Sequence, residues 1–173
     1  MLSFMDIEQS IRTRRTHKAF GQEPVTRETL DELLELARWA PNHHQTNPWR
    51  FRVLGREARE RLKRAAGETQ AAKIDRAPTL IVVSAALSGE PLEDEEDLHA
   101  TAIAAYIVLL AAHARGFAGY WRTPAVLRTP EGRAAVCVEP DERILGLIHL
   151  GPPRQPSATP ERADPDTYVS YLD

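Results

Sequence analysis

The chain has little of what several common classes of protein depend on. It contains one cysteine among 173 residues, which excludes an intramolecular disulfide and argues against a cysteine-based zinc site. Its nine glycines never fall into the spacing G-x-G-x-x-G or G-x-x-x-x-G-K-[ST], so neither the dinucleotide fingerprint nor the P-loop is present. Any phosphate-bearing cofactor must therefore be held by side chains.

Positive charge is not in excess either. The 22 lysines and arginines are outnumbered by 25 aspartates and glutamates, which gives a formal net charge of −3. Proteins that bind nucleic acids usually carry a basic surplus. We therefore expect no nucleic-acid partner.

Long apolar runs are also missing. The longest uncharged one, Ala100–Ala112, is shorter than the roughly 20 residues that cross a bilayer. The first fifteen residues include Asp6, Glu8 and three arginines where a signal peptide needs an apolar stretch. We expect a cytoplasmic protein with no membrane partner.

The overall composition is that of a folded protein, with 42% hydrophobic and 27% charged residues. The length suits one domain over residues 1–173. Hydrophobic periodicity predicts helices at 5–15, 27–40, 56–66, 98–115 and near 130–137, and strands at 49–54, 79–87, 117–122 and 144–150. Helices and strands interleave without regular βαβ spacing, which favours an α+β fold.

The last 23 residues form a segment of their own. They contain five of the thirteen prolines, which excludes a helix or a central strand. Four apolar residues follow, at 168, 169, 171 and 172, which a disordered tail would not need. We interpret 151–173 as an extended arm that docks, and a second subunit is one candidate surface. The helix at 98–115 is so uniformly apolar that a second subunit would also help to cover it.

Three clusters of residues could carry chemistry. Residues 12–18 hold four cations and two hydroxyls, which suits a phosphate, although a solvated helix end attracts the same cations. Residues 38–51 place polar side chains between two tryptophans and two prolines, a composition suited to a planar heterocycle, whereas adjacent His43 and His44 are poor chelators of one metal ion. Residues 116–124 could present Trp121, Arg122 and Thr123 to a ligand, or simply a core tryptophan and a surface arginine.

The other candidate groups are given structural roles. Cys137 has apolar neighbours and is predicted to be an inert core residue. His99, His113 and His149 lie in apolar stretches, where packing or capping is the expected role. No G-x-S-x-G motif is present, so a serine nucleophile lacks support.

Taken in order, these segments resemble the FMN-dependent nitroreductase family, and most closely its short, minimal subgroup. The matching motifs are Arg-Arg-Thr, then Ala-Pro-Asn-His-His-x-Thr-x-Pro-Trp-Arg-Phe, then Gly-Phe-x-Gly-Tyr-Trp-Arg-Thr. The resemblance covers nearly the whole chain. It implies an α+β fold with a mixed, mostly antiparallel sheet flanked by helices, and a homodimer with two FMN sites in its interface.

The resemblance also implies roles for particular residues. Contacts to the phosphate, ribityl chain and pyrimidine edge would come from Arg14, Arg15, Thr16 and Lys18. The partner subunit would offer Trp39, His43, Gln45 and Asn47. The isoalloxazine would be lined by Trp121, Arg122 and Thr123, and Arg154 would be a late phosphate contact. Thr16 stands where serine is usual, and Gln45 and Asn47 stand where larger relatives have Asn-x-Gln.

The implied activity is a ping-pong reaction in which NAD(P)H reduces FMN and a nitroaromatic, quinone or similar small molecule accepts the electrons. The protein would orient the cofactor and needs no nucleophile, acid–base pair or metal of its own. A flavin-binding protein of the same fold without turnover, such as a sensor or carrier, is the alternative.

Overall fold

One antiparallel sheet organises the molecule. The structure is a computed structural model and describes residues 6–172. The strands β1 (Trp49–Val53), β2 (Thr79–Ala86), β3 (Ala118–Arg122) and β4 (Glu142–Gly151) lie in the order β1-β2-β4-β3. All three strand pairs are antiparallel. The continuous apolar run therefore forms an inner strand, buried on both faces, as predicted.

Six α-helices surround the sheet within the described residues. They are α1 (Ile7–Thr13), α2 (Arg27–Ala37), α3 (Arg56–Ala66), α4 (Glu68–Ile74), α5 (Pro91–Ala114) and α6 (Pro130–Ala135). Three short 3₁₀ helices lie at His43–Gln45, Ala125–Arg128 and Pro165–Thr167. Helices and antiparallel strands together confirm the α+β prediction.

Two hydrophobic clusters lie on the two faces of the sheet. Ile81, Val83 and Ile148 face α2 and α5, which pack on each other. Leu80 and Val82 face the layer of α3, α4 and α6. Alternation along β2 and β4 therefore separates the molecule into three layers.

The helix α5 is longer than the sequence pattern predicted. It begins at Pro91 rather than at residue 98, because the acidic residues after Pro91 form its own first turns, where the helix dipole favours them. It ends where Gly116 takes a φ of 83°, a conformation that glycine adopts without strain. Among the described residues, α5 alone has the length and hydropathy of a membrane-spanning helix, and here its buried side packs on the sheet.

The helix α2 begins as predicted and ends earlier. The Thr26 hydroxyl accepts a hydrogen bond from the backbone N–H of Thr29 at 3.2 Å, which is a standard N-cap. The helix ends at Ala37 rather than near Pro41, since the next three amides bond to the carbonyl three residues back. The loop after α2 therefore begins sooner than the apolar stripe indicated.

The helix α4 was missed because only one of its residues, Ile74, is buried. Seven residues with so little apolar periodicity give no helical signal. Gly67, at a φ of 72°, turns the chain between α3 and α4.

A half-buried arginine links three strands at one end of the sheet. Arg52 on β1 donates to both carboxylate oxygens of Glu142 on β4, at 2.6 and 2.8 Å, and to Ser84 on β2 at 2.9 Å. Burial works to raise the pKa of Glu142, but the hydrogen bonds from Arg52 and Ser84 outweigh it and hold that pKa below its usual value.

Two of the structural predictions were wrong. Cys137 is exposed, because it takes a left-handed φ of 54° in the turn after α6 while Val136 and Val138 point inward. His99 is exposed on α5. His149, by contrast, is fully buried in the core as expected.

Candidate functional site

The segment after α1 lies along the start of β3. Thr16 forms a parallel bridge with Gly119, and the backbone N–H of His17 donates to the Gly119 carbonyl at 3.1 Å. Arg14 and Arg15 just before it are half-buried, and their Nε atoms are buried without a hydrogen-bond partner among the described residues. Buried guanidinium nitrogens without partners are costly, which makes an anionic ligand a natural complement.

The root of the arm packs against the same segment. Pro153 forms a bridge with Phe20, and the backbone N–H of Arg154 donates to the Ala19 carbonyl at 3.4 Å. The Ser157 hydroxyl donates to the Thr16 carbonyl at 3.1 Å. The beginning of the arm is therefore docked on its own chain.

A cleft of about 500 Å³ opens between these elements. Its lining comes from the segment after α1, the end of α5 and the arm: His17, His113, Gly116, Phe117, Pro153, Arg154, Gln155 and Pro156. A second opening beside it is lined by Thr16, Lys18 and Ser157. We call these two openings, with the adjacent Arg14 and Arg15, the basic cleft.

The charges around His113 show how positive the basic cleft is. His113 Nε2 lies 2.8 Å from the Thr13 hydroxyl. Burial lowers the pKa of His113, and the positive charges of Arg14, His17 and Arg15 lower it further. Positive charges that oppose protonation of His113 also attract a phosphate, because both effects are Coulombic.

Trp121 and Arg122 point to opposite faces of the sheet. Trp121 pairs with Ile148 on the α5 face, and its indole N–H donates to the Leu145 carbonyl at 3.3 Å. Arg122 pairs with Leu147 on the other face and donates to the Lys73 carbonyl at the end of α4, at 3.3 Å. The two side chains therefore cannot line the same face of one planar ligand.

Thr123 follows these two residues at the end of β3, where it is exposed. It lines a small cavity of about 40 Å³ together with Leu145 and Gly146.

The four residues predicted to come from a partner lie on or after the end of α2. Trp39 is 73% exposed, and its indole N–H donates to Glu35 at 3.1 Å. His43 pairs with Glu96 on α5 at 2.7 Å, and Gln45 and Asn47 are exposed.

The structure brings some of the predicted residues together and separates others. Arg14, Arg15, Thr16, Lys18 and Arg154 all lie in or beside the basic cleft, at the C-terminal end of α5. The loop with His43, Gln45 and Asn47 lies against the N-terminal half of α5. The helix rises 1.5 Å per residue, so Glu96 and His113 are about 25 Å apart. One chain therefore presents two separate half-sites.

Sequence reasoning missed two residues that shape these half-sites. His113 was given a packing role, yet it lines the basic cleft. The sequence assigned Asp97 no individual role, yet it is 4% exposed and accepts hydrogen bonds from the loop after α2. A signal was available for Asp97, since it falls one helical turn before Thr101 on the buried side of α5.

The fold is an antiparallel α+β fold with a basic cleft at the C-terminal end of α5. A family model described as the nitroreductase family matches residues 11–74. A protein of Escherichia coli K12 named "Putative NAD(P)H nitroreductase YdjA" is 30% identical over 97% of this chain and all of its own length. The chain belongs to the nitroreductase family of oxidoreductases.

Solved structures share the fold over the same extent. A nitroreductase-like family protein from Bacillus cereus superposes with a TM-score of 0.90, at 24% identity, over 100% of this chain and 99% of its own. The FMN-dependent nitroreductase NfnB from Mycobacterium smegmatis, solved in complex with NADPH, superposes with a TM-score of 0.80 at 20% identity, over 96% and 97% of the two chains.

Proposed function

We propose that this chain is an FMN-dependent oxidoreductase that takes electrons from NAD(P)H and reduces small acceptors such as nitroaromatics or quinones. The observation that carries the proposal is the pair of half-buried arginines in the basic cleft, whose Nε atoms lack partners among the residues described. Two relatives support it by name, one as FMN-dependent and bound to NADPH and the other as an NAD(P)H nitroreductase.

The basic cleft fits the phosphate end of FMN. Arg14 and Arg154 offer guanidinium groups, which match phosphate oxygens in pairs. Arg15 adds a third guanidinium, whose Nη1 donates to the carbonyls of Arg12 and Arg14 at 2.7 and 2.9 Å. Thr16 adds a hydroxyl, and Lys18 an ammonium group from the adjoining opening. Burial lowers the pKa of His113 first, and Arg14, His17 and Arg15 lower it further; a bound phosphate would offset the positive charge of these arginines.

The ring end of FMN requires the second half-site. Trp121 offers an apolar indole on the α5 face of β3, and Thr123 a hydroxyl at the end of that strand. The contribution of Arg122 would come from its backbone, since its side chain is held at the end of α4. Trp39, His43, Gln45 and Asn47 would come from the partner, because about 25 Å separates their loop from the basic cleft of the same chain.

This separation supports a homodimer. Two copies of α5 packed side by side in opposite directions would bring the N-terminal half of each against the C-terminal half of the other. The large apolar residues exposed on α5 are Leu92, at 71% in its first turn, and Ile103 and Tyr106 near its middle, at 40% and 38%. Exposed apolar surface of this kind suits an interface. We propose one FMN site per chain, each built from both subunits, in a single domain over residues 1–173.

The chemistry divides between cofactor and protein. Bound FMN supplies hydride transfer, from NAD(P)H and then to the acceptor in ping-pong order. The residues of the chain hold and orient it. The set Arg14, Arg15, Thr16 and Lys18 would contact the phosphate, the ribityl chain and the pyrimidine edge together, and whichever cation of this set reaches the pyrimidine edge, Arg14 or Lys18, would offset the negative charge that reduction adds there.

Titration of the purified protein with FMN, followed by anaerobic addition of NADH or NADPH, tests the proposal. We expect about one FMN per chain, loss of the flavin absorbance with at least one nucleotide, and its return on addition of a quinone or nitroaromatic. Bound flavin that neither nucleotide reduces would instead identify a flavin-binding protein without turnover. A protein that takes up no FMN overturns the proposal.

A further inference from the structure

The loop of residues 42–47 has an unusual backbone. His44, Gln45 and Asn47 have φ values of 54°, 53° and 51°, in the left-handed region that residues with a β-carbon rarely adopt. Three such residues among six do not hold this shape by themselves, so the surrounding structure must enforce it.

The enforcing contact is a buried carboxylate on α5. Asp97 is 4% exposed, and one of its oxygens accepts hydrogen bonds from the Thr46 hydroxyl at 2.5 Å and from the Asn42 side-chain amide at 3.4 Å. The Asn42 side-chain oxygen in turn accepts the backbone N–H of Asn47 at 2.7 Å. A continuous network therefore runs from α5 to the end of the loop.

The neighbouring acidic residue cannot do the same work. Glu96 pairs with His43, but the two side chains are 39% and 60% exposed. Exposed ion pairs contribute little to stability. A hydrogen bond to a buried charge contributes more, and its loss leaves a buried polar group without a partner, which costs free energy.

We propose that Asp97 is a positioning residue that holds the 42–47 loop in the shape that presents His43, Gln45 and Asn47 to the cofactor. The inference rests on the proposed function for the identity of the ligand. Asp97 contacts the loop through Thr46 and Asn42, and neither of these is assigned to the cofactor.

Two pairs of variants separate positioning from simple loss of packing. Thr46→Val keeps the shape of the side chain and removes the hydroxyl, whereas Thr46→Ser keeps the hydroxyl. Asp97→Ala removes the acceptor, whereas Asp97→Asn keeps one oxygen in place. Glu96→Gln is the matched control at the exposed neighbour.

The first readout needs no cofactor. Hydrogen–deuterium exchange of the peptide containing Asn47, in protein free of FMN, should be about tenfold faster in Thr46→Val and Asp97→Ala, and near wild type in Thr46→Ser, Asp97→Asn and Glu96→Gln. The second readout is the dissociation constant for FMN, which should rise about tenfold in the same two variants and stay within about twofold in the other three.

The outcomes are distinct. Unchanged exchange in Thr46→Val overturns the inference even if Asp97→Ala fails to fold. Faster exchange with unchanged FMN affinity overturns it as well, because the loop would then not position the cofactor. A wild-type protein that binds no FMN would be the failure of the proposed function, while the exchange data would still decide whether Asp97 holds the loop.

Discussion

Buried charged and titratable side chains divide, within the described part of the chain, into those with partners and one without. Glu142 is held by Arg52 and Ser84, and Asp97 by Thr46 and Asn42. His149 is fully buried, and neither of its ring nitrogens has a partner within residues 6–172. A buried polar group without a partner lowers the stability of the native state. His149 should therefore affect the free energy of unfolding.

His149 makes stability depend on pH. Burial, and then the positive charges of Arg122, Arg76 and Arg59, lower its pKa from 6.5 to about 3. Between these values the unfolded chain binds the proton and the native state does not. The free energy of unfolding therefore falls as the pH falls from 6.5 towards 3, by up to about 1.4 kcal/mol per pH unit.

Urea denaturation at pH 7, 5.5 and 4.5 checks this expectation. His149→Leu, of similar volume, should lose this part of the pH dependence and be at least as stable as the wild type at low pH. His99→Gln, at an exposed position, is the control and should follow the wild type. An unchanged pH slope in His149→Leu would contradict the assignment.

Arg14 and Arg15 should govern cofactor affinity. Replacing both by alanine removes two guanidinium groups from the basic cleft, and each charged hydrogen bond is worth about 1.5–3 kcal/mol. We expect FMN affinity to fall by at least about a hundredfold, measured by quenching of flavin fluorescence. Arg12→Ala is the matched control, since Arg12 is exposed and pairs only with Glu8 in the described structure. If the double variant bound FMN as tightly as Arg12→Ala does, the phosphate of FMN would lie elsewhere.

Among the structural elements, the sequence patterns predicted strands and well-packed helices closely. β1, β2 and α3 lie within a residue of their expected bounds. The two strands show an apolar alternation or run, whereas α3 has one buried residue, Leu62, and is delimited by glycines at both ends. Two helices departed from the patterns. The seven residues of α4 include one buried residue, and α5 begins at Pro91 rather than at the predicted residue 98.

The candidate site shows the same division. The family resemblance grouped Arg14, Arg15 and Arg154 around one phosphate, and in the structure all three lie in or beside the basic cleft. Their contact with a phosphate stays a prediction. The opposite directions of Trp121 and Arg122 follow from strand alternation once β3 is established. The role of Asp97 depends on a contact between residues about 50 positions apart, which no local pattern contains.

A bulge in β4 makes room for Trp121. The register between β2 and β4 shifts between Val83 and Ser84, and the opposing residue is Gly146. A β-carbon at Gly146 would lie 2.6 Å from the Arg122 carbonyl oxygen and against the Trp121 indole nitrogen. This close approach requires glycine.

Gly146→Ala should therefore displace Trp121. We expect a loss of about 1–3 kcal/mol in the free energy of unfolding, typical of overpacking, with a shift in tryptophan fluorescence. Gly55→Ala is the control, since nothing lies within 4 Å of its added β-carbon. A variant at 146 as stable as the one at 55 would show that the bulge adapts freely.

At the scale of the whole molecule, large apolar residues are exposed in the arm and on α1. In the arm, Tyr171 and Leu172 are 94% and 93% exposed, and Ile7 on α1 is 67% exposed. The arm is docked on its own chain at Ser157 but leaves its apolar end uncovered. A second copy of the chain would cover such surface, in keeping with the arm and dimer predicted from the sequence.

A mixed dimer tests whether each site is shared. One chain carries Arg14→Ala and Arg15→Ala, and the other carries His43→Ala and Asn47→Ala. Dimers of either variant alone should bind FMN weakly, because every site has one defective half. A mixed dimer, purified through two different tags, has one site with both defects and one with none. We expect it to bind one FMN with wild-type affinity by equilibrium dialysis.

If each site were built within one chain, both sites of the mixed dimer would be defective. Weak binding by the mixed dimer would thus reject the shared site. Binding of one FMN per mixed dimer, half the number bound by the wild-type dimer, cannot be explained if each site is built within one chain.

The helix α5 also constrains how this chain can change over evolution. In the proposed dimer, its length sets both the spacing and the relative angle of the two half-sites. One residue inserted between Glu96 and His113 would lengthen the helix by about 1.5 Å and turn one end by about 100° relative to the other. Seven inserted residues would restore the angle but add about 10 Å. Functional descendants should therefore show no alignment gap within this stretch.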